Sequence, residues 1–272
     1  MPGSAFFGYQ NIQPATTLWY HDHTLGMTRN NVYAGPAGFW LIRGGPNGDA
    51  NVRDSRGNPA VLPGPAPKAG GGDPNFSASV RAKIREIPIV VQDRSFNQDG
   101  SLFYPDNRAF FEGLNVPGTT PQLPGAGVLD IPFIPASDIP PIWNPEAFFN
   151  TIVVNGSTWP QLAVAPARYR FRLLAAANGR TFNLSLFPVT NAGKANERLG
   201  QEIPFYQIGA EEGFLPKVVK ILTGSATPLP GNGTIPANIP AADPKRALLM
   251  GPAERADVIV DFSGLANGTV YA

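Results

Sequence analysis

The 272-residue sequence contains no cysteine. That excludes a disulfide framework, a zinc–thiolate site, a cysteine nucleophile and the thiolate of a blue-copper centre. It leaves the redox compartment open. Histidine is nearly absent too, with two residues. Charge is sparse: 15% of residues against the usual quarter or so. The 21 Lys and Arg offset 20 Asp and Glu to a net +1, without a basic run, which argues against a nucleic-acid or membrane-surface partner. No apolar stretch approaches the roughly 18 residues of a membrane span. Met1-Pro2-Gly3-Ser4 lacks the basic and apolar regions of a secretory signal, and the sequence does not assign a compartment.

Glycine and proline are abundant, at 30 residues each, and hydrophobic residues make up 43%, enough for a core. Proline spacing leaves few windows for a three-turn helix. The longest are 15–35, 167–187 and 253–272, and each carries a strand signal. Tyr169, Phe171 and Leu173 alternate with Arg168, Arg170 and Arg172, giving an apolar and a basic face. Asn178-Gly179 then supplies a turn, and Phe182, Leu184 and Leu186 alternate with polar residues, so 167–187 reads as a hairpin. Arg255–Phe262 alternates likewise. Shorter candidates are Ile84–Gln92, Thr151–Val154, Phe205–Gly209, Lys217–Leu222, Ala247–Met250 and Thr269–Tyr271. Many short strands with Gly/Pro turns predict an all-β sandwich or barrel.

Residues 44–79 have almost no apolar periodicity and read as a connection. They separate an N-terminal piece, 1–43, from a longer β segment, 80–272. The N-terminal piece is too small to fold alone and must pack on something else. The stretch 110–150 is Pro-rich but holds Phe110, Phe111, Trp143, Phe148 and Phe149, which predicts a packed loop. The five N-x-S/T sequons, at Asn75, Asn155, Asn183, Asn232 and Asn267, read as chance in a turn-rich chain.

Both histidines fall in Leu18-Trp19-Tyr20-His21-Asp22-His23. On a strand, residues i and i+2 share a face, about 6.5–7 Å apart. His21 and His23 then present two imidazoles side by side with Trp19, while Tyr20 and Asp22 point away. Neutral imidazole is a ligand for zinc, copper, iron and nickel. The pair can hold one metal or place one ligand on each of two. A three-histidine zinc site cannot be closed within the chain, and a two-His-one-carboxylate iron site needs a remote Asp or Glu that spacing does not identify.

The segment "LWYHDHTLGMTRNNVYAGPAGFWLIRG" (18–44) resembles the second copper-binding motif of the multicopper oxidases, closest to the bacterial spore-coat laccase and bilirubin oxidase group. There W-Y-H-x-H precedes T-R-x-N-V-Y-A-G-x-A-G-F-x-L-I on the last strands of the first cupredoxin domain. "IPIVVQDRSFNQDGSLFYP" (87–105), "NTIVVNGSTWPQLAVAPARYRFRLLAAANGRTFNLSL" (150–186), "QIGAEEGFLPKVV" (207–219) and "LLMGPAERADVIVDF" (248–262) resemble that group's second domain, in order.

The resemblance implies an all-β, cupredoxin-like Greek-key sandwich or barrel. Residues 1–43 would be the incomplete end of domain one, 44–79 the interdomain linker, and 80–272 a slightly truncated domain two. It implies a copper oxidoreductase of laccase type, with O2 and a small-molecule reductant as substrates and a trinuclear type 2/type 3 copper cluster. His21 and His23 would be type 3 copper ligands, one on each ion of the pair. The family also has a first H-x-H motif, a third cupredoxin domain and a type 1 copper cysteine, none of which this sequence contains. Six cluster histidines are missing with them. The expectation is an internal piece of such an enzyme, inactive alone, with at most partial copper occupancy and with the missing cupredoxin domains as its partners. The alternatives are a non-enzymatic cupredoxin-like metal- or partner-binding module, or another metalloenzyme using His21, His23 and a carboxylate. Asp93, Arg94 and Glu211 read as turn or surface groups, Met27 and Met250 as packing, and Trp19, Trp40, Trp143 and Trp159 as core or loop anchors.

Overall fold

The computed structural model describes residues 3–43, 85–104, 147–191, 197–223 and 247–272, with isolated positions at 56–57, 62–63, 115, 122, 124–128, 193–194 and 238. The connection 44–79 lies almost wholly outside them, as do Phe110, Phe111 and Trp143.

Among the described residues the chain is β throughout, apart from one short helix. The elements are β1 (Thr16–His21), α1 (Thr28–Ala34), β2 (Ala37–Ile42), β3 (Glu86–Arg94), β4 (Thr151–Val154), β5 (Ser157–Thr158) and β6 (Arg168–Ala175). They continue with β7 (Phe182–Leu184), β8 (Pro188–Val189), β9 (Phe205–Ala210), β10 (Gly213–Ile221), β11 (Leu248–Met250), β12 (Arg255–Asp261) and β13 (Val270–Tyr271). Helix α1 lies in a window read as strand. Thr24 turns the chain into it, its carbonyl accepting from the amides of Met27 and Thr28, and Gly35 ends it at φ +139°, a conformation open to glycine.

A seven-stranded sheet organises the molecule, in the order β10-β9-β12-β6-β3-β4-β5. Strand β6 runs antiparallel to β12 and parallel to β3. The expected 167–187 hairpin does not form. Strand β7 leaves this sheet and pairs with β11 instead, and β13 pairs with β8. The reason is that both edges of β6 are taken, by β12 and by β3, so no edge is left for β7. Tyr169, Phe171 and Leu173 point into a core with Phe205, Ile221, Leu248, Met250, Val258, Val260 and Phe262. Met250 is thus a packing residue, as read from sequence; Met27 is exposed.

The other face of β6 departs from expectation. Arg170 and Arg172 were read as one side of an amphipathic strand, yet each is only 1% exposed. Strands β1 and β2, an antiparallel pair with Thr17 opposite Leu41, come from the N-terminal piece and lie over them. Arg170 makes a forked pair with Asp257, its Nε donating to Oδ1 at 2.8 Å. The Arg172 Nε donates to Glu86 and its Nη1 to the Thr17 hydroxyl, at 3.0 Å. Glu86 also accepts from Arg43 at 2.7 Å. Arg255 donates to the carbonyls of Thr17 and Glu211 and pairs with the Glu211 carboxylate. The Thr16 hydroxyl donates to the Glu211 carbonyl at 3.0 Å. The close approach explains Gly213: at φ +142°, an added Cβ would lie 3.3 Å from the Ala15 carbonyl.

Asp93 and Arg94 are likewise buried, not surface groups. Asp93 accepts from the amides of Phe149 and Asn178, at 3.1 and 3.0 Å, and from Arg180. Glu211 matches its turn reading, between β9 and β10. Trp40 and Trp159 lie at the surface rather than anchoring a core.

These ionic groups carry the stability predictions. Burial would raise the Glu86 pKa, but Arg43 and Arg172 outweigh it and hold the carboxyl below its ordinary value. Glu86→Gln should cost about 3–5 kcal/mol in denaturant unfolding at pH 7, because it leaves the buried Arg172 short of a counter-charge. Asp261 is held down to about 2 by hydrogen bonds from Ser263 and Arg168. A depressed carboxyl stabilises above its unfolded pKa, and that contribution is lost as pH falls through the folded one. The melting temperature of the wild type should therefore fall more steeply between about pH 4 and pH 2 than that of Asp261→Asn.

Candidate metal centre

His21 is the last residue of β1, and His23 lies two residues beyond it. Extended backbone at this point puts both rings on one side, with Trp19 next to them. The ring centres of Trp19 and His21 are 4.4 Å apart, and those of His21 and His23 are 5.8 Å apart with 29° between planes. The expected face is therefore the observed one. His21 is half-buried and His23 exposed.

The Nδ1 of His21 lies 2.6 Å from the carbonyl oxygen of Asp22. A carbonyl only accepts, so Nδ1 carries the proton in this contact and the lone pair of the neutral ring is on Nε2. That is the arrangement in which histidines ligate metals, with one nitrogen tied back and the other presented. Two imidazole nitrogens on one ion at about 2.0 Å each lie within about 4 Å of one another. Ring centres 5.8 Å apart suit two nitrogens meeting on one ion as well as one nitrogen on each of two neighbouring ions. Among the described residues no group of three or more His, Cys, Asp or Glu side chains could hold a metal. Among the described residues the pair offers two imidazole nitrogens but does not close a site.

Sequence reasoning missed what holds this pair. The Asp22 carboxylate accepts from the Thr24 amide (3.0 Å), the Thr24 hydroxyl (2.6 Å) and the Asn31 side-chain amide (3.0 Å). These bonds, Thr24 first, keep its pKa below the ordinary value. The Asp-x-Thr spacing is a known signal for a side chain capping its own turn; the reach to Asn31 needed helix α1, which strand periodicity had concealed. Helix α1 is itself anchored through Tyr33. Its hydroxyl lies 2.7 Å from the Phe103 carbonyl, and the Ser95 amide donates to it at 3.1 Å. The ring packs with Tyr104 and Phe149, and the Arg94 guanidinium sits 4.5 Å from its centre.

No protein-family profile matches the chain. Individual relatives do. The laccase of Bacillus stratosphericus is 32% identical over 265 residues, which is 97% of this chain and 35% of that protein. The laccase of Bacillus subtilis is 32% identical over 264 residues, 97% of this chain and 34% of its own length. A third, multicopper oxidase LPR1 homolog 1 of Oryza sativa, is 32% identical over 94% of the chain. This chain is homologous to part of a multicopper oxidase. It spans about a third of the length of these relatives. Among solved structures, a variant of the McoA multicopper oxidase of Aquifex aeolicus matches 96% of the chain and 36% of its own, with a TM-score of 0.55 at 20% identity. A laccase-like oxidase, CueO of Ochrobactrum, gives 0.52 at 18% identity, over 95% of this chain and 36% of that one. Those likenesses establish the cupredoxin-like multicopper oxidase fold. The homology makes copper the family's cofactor, which agrees with a two-imidazole donor set.

The anchoring of α1 is open to direct measurement. Tyr33→Phe strips the Ser95 amide and the Phe103 carbonyl of a partner and should destabilise the chain by about 1–3 kcal/mol in urea unfolding.

Proposed function

We propose that this chain contributes one His-x-His pair to the type 2/type 3 copper cluster of a laccase-like multicopper oxidase, together with the scaffold that holds the pair. His21 and His23 would each ligate a different copper of the type 3 pair. The single observation that carries the reading is the His21–His23 arrangement: two near-parallel imidazoles, one already tied back through Nδ1. Residues 1–43 are read as the end of one cupredoxin domain, 44–79 as a connection and 80–272 as the next domain; collinear likeness to laccases over 97% of the chain supports this.

Bound copper would supply one-electron redox chemistry, linking oxidation of a phenolic or similar reductant to reduction of O2 to water. The chain's own residues do simpler work. Trp19 packs on His21 and limits its ring motion. The Asp22 carbonyl holds the Nδ1 proton and leaves Nε2 as ligand. Exposed Leu25 and Met27, just beyond His23, leave apolar surface beside the pair, suited to burial against the remaining cupredoxin domains of such an oxidase. Two imidazoles without a thiolate do not make an electron-entry site, so these 272 residues alone are proposed to be inactive.

Copper titration followed by electron paramagnetic resonance tests the reading. The wild-type chain should give a weak, sub-stoichiometric type 2-like signal with no intense blue absorption, and His21→Ala or His23→Ala should abolish it. Phenolic dye oxidation should stay at background. Tight stoichiometric binding of zinc or iron that depends on His21 and a carboxylate would replace copper in this account. Dye turnover by the copper-loaded chain would overturn its inactivity.

A further inference from the structure

We propose that Asp22 is a positioning residue for the histidine pair: its carboxylate, latched by Thr24 and Asn31, fixes the backbone carbonyl that holds His21 in its ligand-ready tautomer. The inference rests on the metal-site reading above but is tested separately from it.

Two ends of one residue have different partners. The backbone carbonyl of Asp22 meets His21 Nδ1 at 2.6 Å. The side chain has its own set of partners: the Asn31 amide contacts both carboxylate oxygens, at 3.1 and 3.0 Å, and Thr24 supplies its amide and hydroxyl. The peptide between the histidines therefore cannot rotate without breaking these bonds. Its supports are fixed in turn. The Thr24 carbonyl accepts from the amides of Met27 and Thr28, at 3.0 and 2.9 Å, and from the Thr28 hydroxyl. Asn31 lies inside α1, its amide bonded to Met27 and its carbonyl to Gly35. Tyr33, two residues on, pins that helix to the loop around Ser95 and Phe103. A free loop between strand and helix would let the Asp22 carbonyl swing, and His21 would then exchange its proton between ring nitrogens. Groups that orient a metal-binding histidine in this way affect affinity by about 10- to 100-fold.

Asn31→Leu is the decisive variant. It removes both donors, and leucine is a better helix former than asparagine, so loss of helix is not built into the change. Long-range proton–nitrogen spectra of the imidazoles, in metal-free full-length chain with neutral rings, report the tautomer directly. Wild-type His21 should show one tautomer, protonated on Nδ1. Asn31→Leu should shift it to an exchanging mixture and lower Cu2+ affinity by about 10- to 100-fold, with the far-UV circular dichroism unchanged. If His21 keeps its single tautomer in Asn31→Leu, the inference is wrong. It is equally wrong if the tautomer is lost, His21→Ala weakens Cu2+ binding, and Asn31→Leu does not. Should His21→Ala bind Cu2+ as tightly as wild type, the metal-site reading falls, and the tautomer measurement still decides the role of Asp22. Asn31→Ala, which shortens rather than replaces the side chain, gives a second test if the leucine variant fails to fold.

Discussion

A buried carboxylate shared by two arginines holds the two parts of this chain in register. Glu86 opens β3 and is 1% exposed. It accepts from Arg43, just past β2, and from Arg172 in the middle of β6. Arg43 stands immediately before the long connection and Glu86 soon after it, so their pair joins the chain across that gap. Arg172 also reaches Thr17 on β1, and Arg170 is neutralised by Asp257 from β12. Such a network adds little net stability over an apolar equivalent, because burying the ions is costly. Its effect is selective. Arg172 finds Thr17 and Glu86 finds Arg43 in one placement of β1 and β2 on the sheet, which selects that placement.

That position determines where the histidines go. One end of β1 is tied down at Thr16 and Thr17 by Glu211, Arg172 and Arg255. The strand then runs outward, and its free end carries His21. A two-stranded ribbon is marginal in water, so the orientation of the pair depends on the ribbon being gripped at its base. Helix α1 adds a second attachment on the far side of the histidines, through Tyr33 and the aromatic cluster with Tyr104 and Phe149. The segment that carries the two histidines is thus held from both ends, at the base of β1 by the larger sheet and beyond α1 by the loop residues Ser95, Phe103 and Phe149.

The sequence made some of this legible and concealed the rest for identifiable reasons. Alternation at 168–174 and 255–262 marked the two central strands, because one face of each packs into the core. The shared face of Trp19, His21 and His23 followed from a period of two, which holds to the strand end. The hairpin expected after Asn178-Gly179 failed because a turn signal specifies a local reversal, not a partner; β6 is sandwiched between β3 and β12, and no room remains beside it for β7. Alternation marked a basic face on β6 but not its burial, because amphipathicity has the same appearance whether water or a paired carboxylate lies opposite. Asp93 and Arg94 were misjudged because the partners that bury them, Phe149, Asn178, Arg180 and Tyr33, are 56 residues or more away in sequence. Helix α1 was missed because a seven-residue helix without a capping side chain leaves almost no signature.

The contrast between the two ionic arrangements bears on how the pair works. Glu86 and Asp257 are buried, and their partners are guanidinium groups, which lock a packing arrangement at the cost of desolvation. Asp22 does its work near the surface with neutral donors, a hydroxyl and amides, and contributes direction rather than charge neutralisation. A carboxylate latched by neutral donors keeps its negative charge beside the histidines, and that charge favours a nearby cation. A guanidinium in place of Asn31 would hold the same turn but cancel that field. Rigidity is therefore assigned to the interior, where arginine is the better partner, and local field to the loop, where asparagine is. Asp22, Thr24 and Asn31, none more than ten positions from either histidine, thus meet two demands that a single ion pair could not meet together: a fixed imidazole and an electrostatic surrounding that favours a cation.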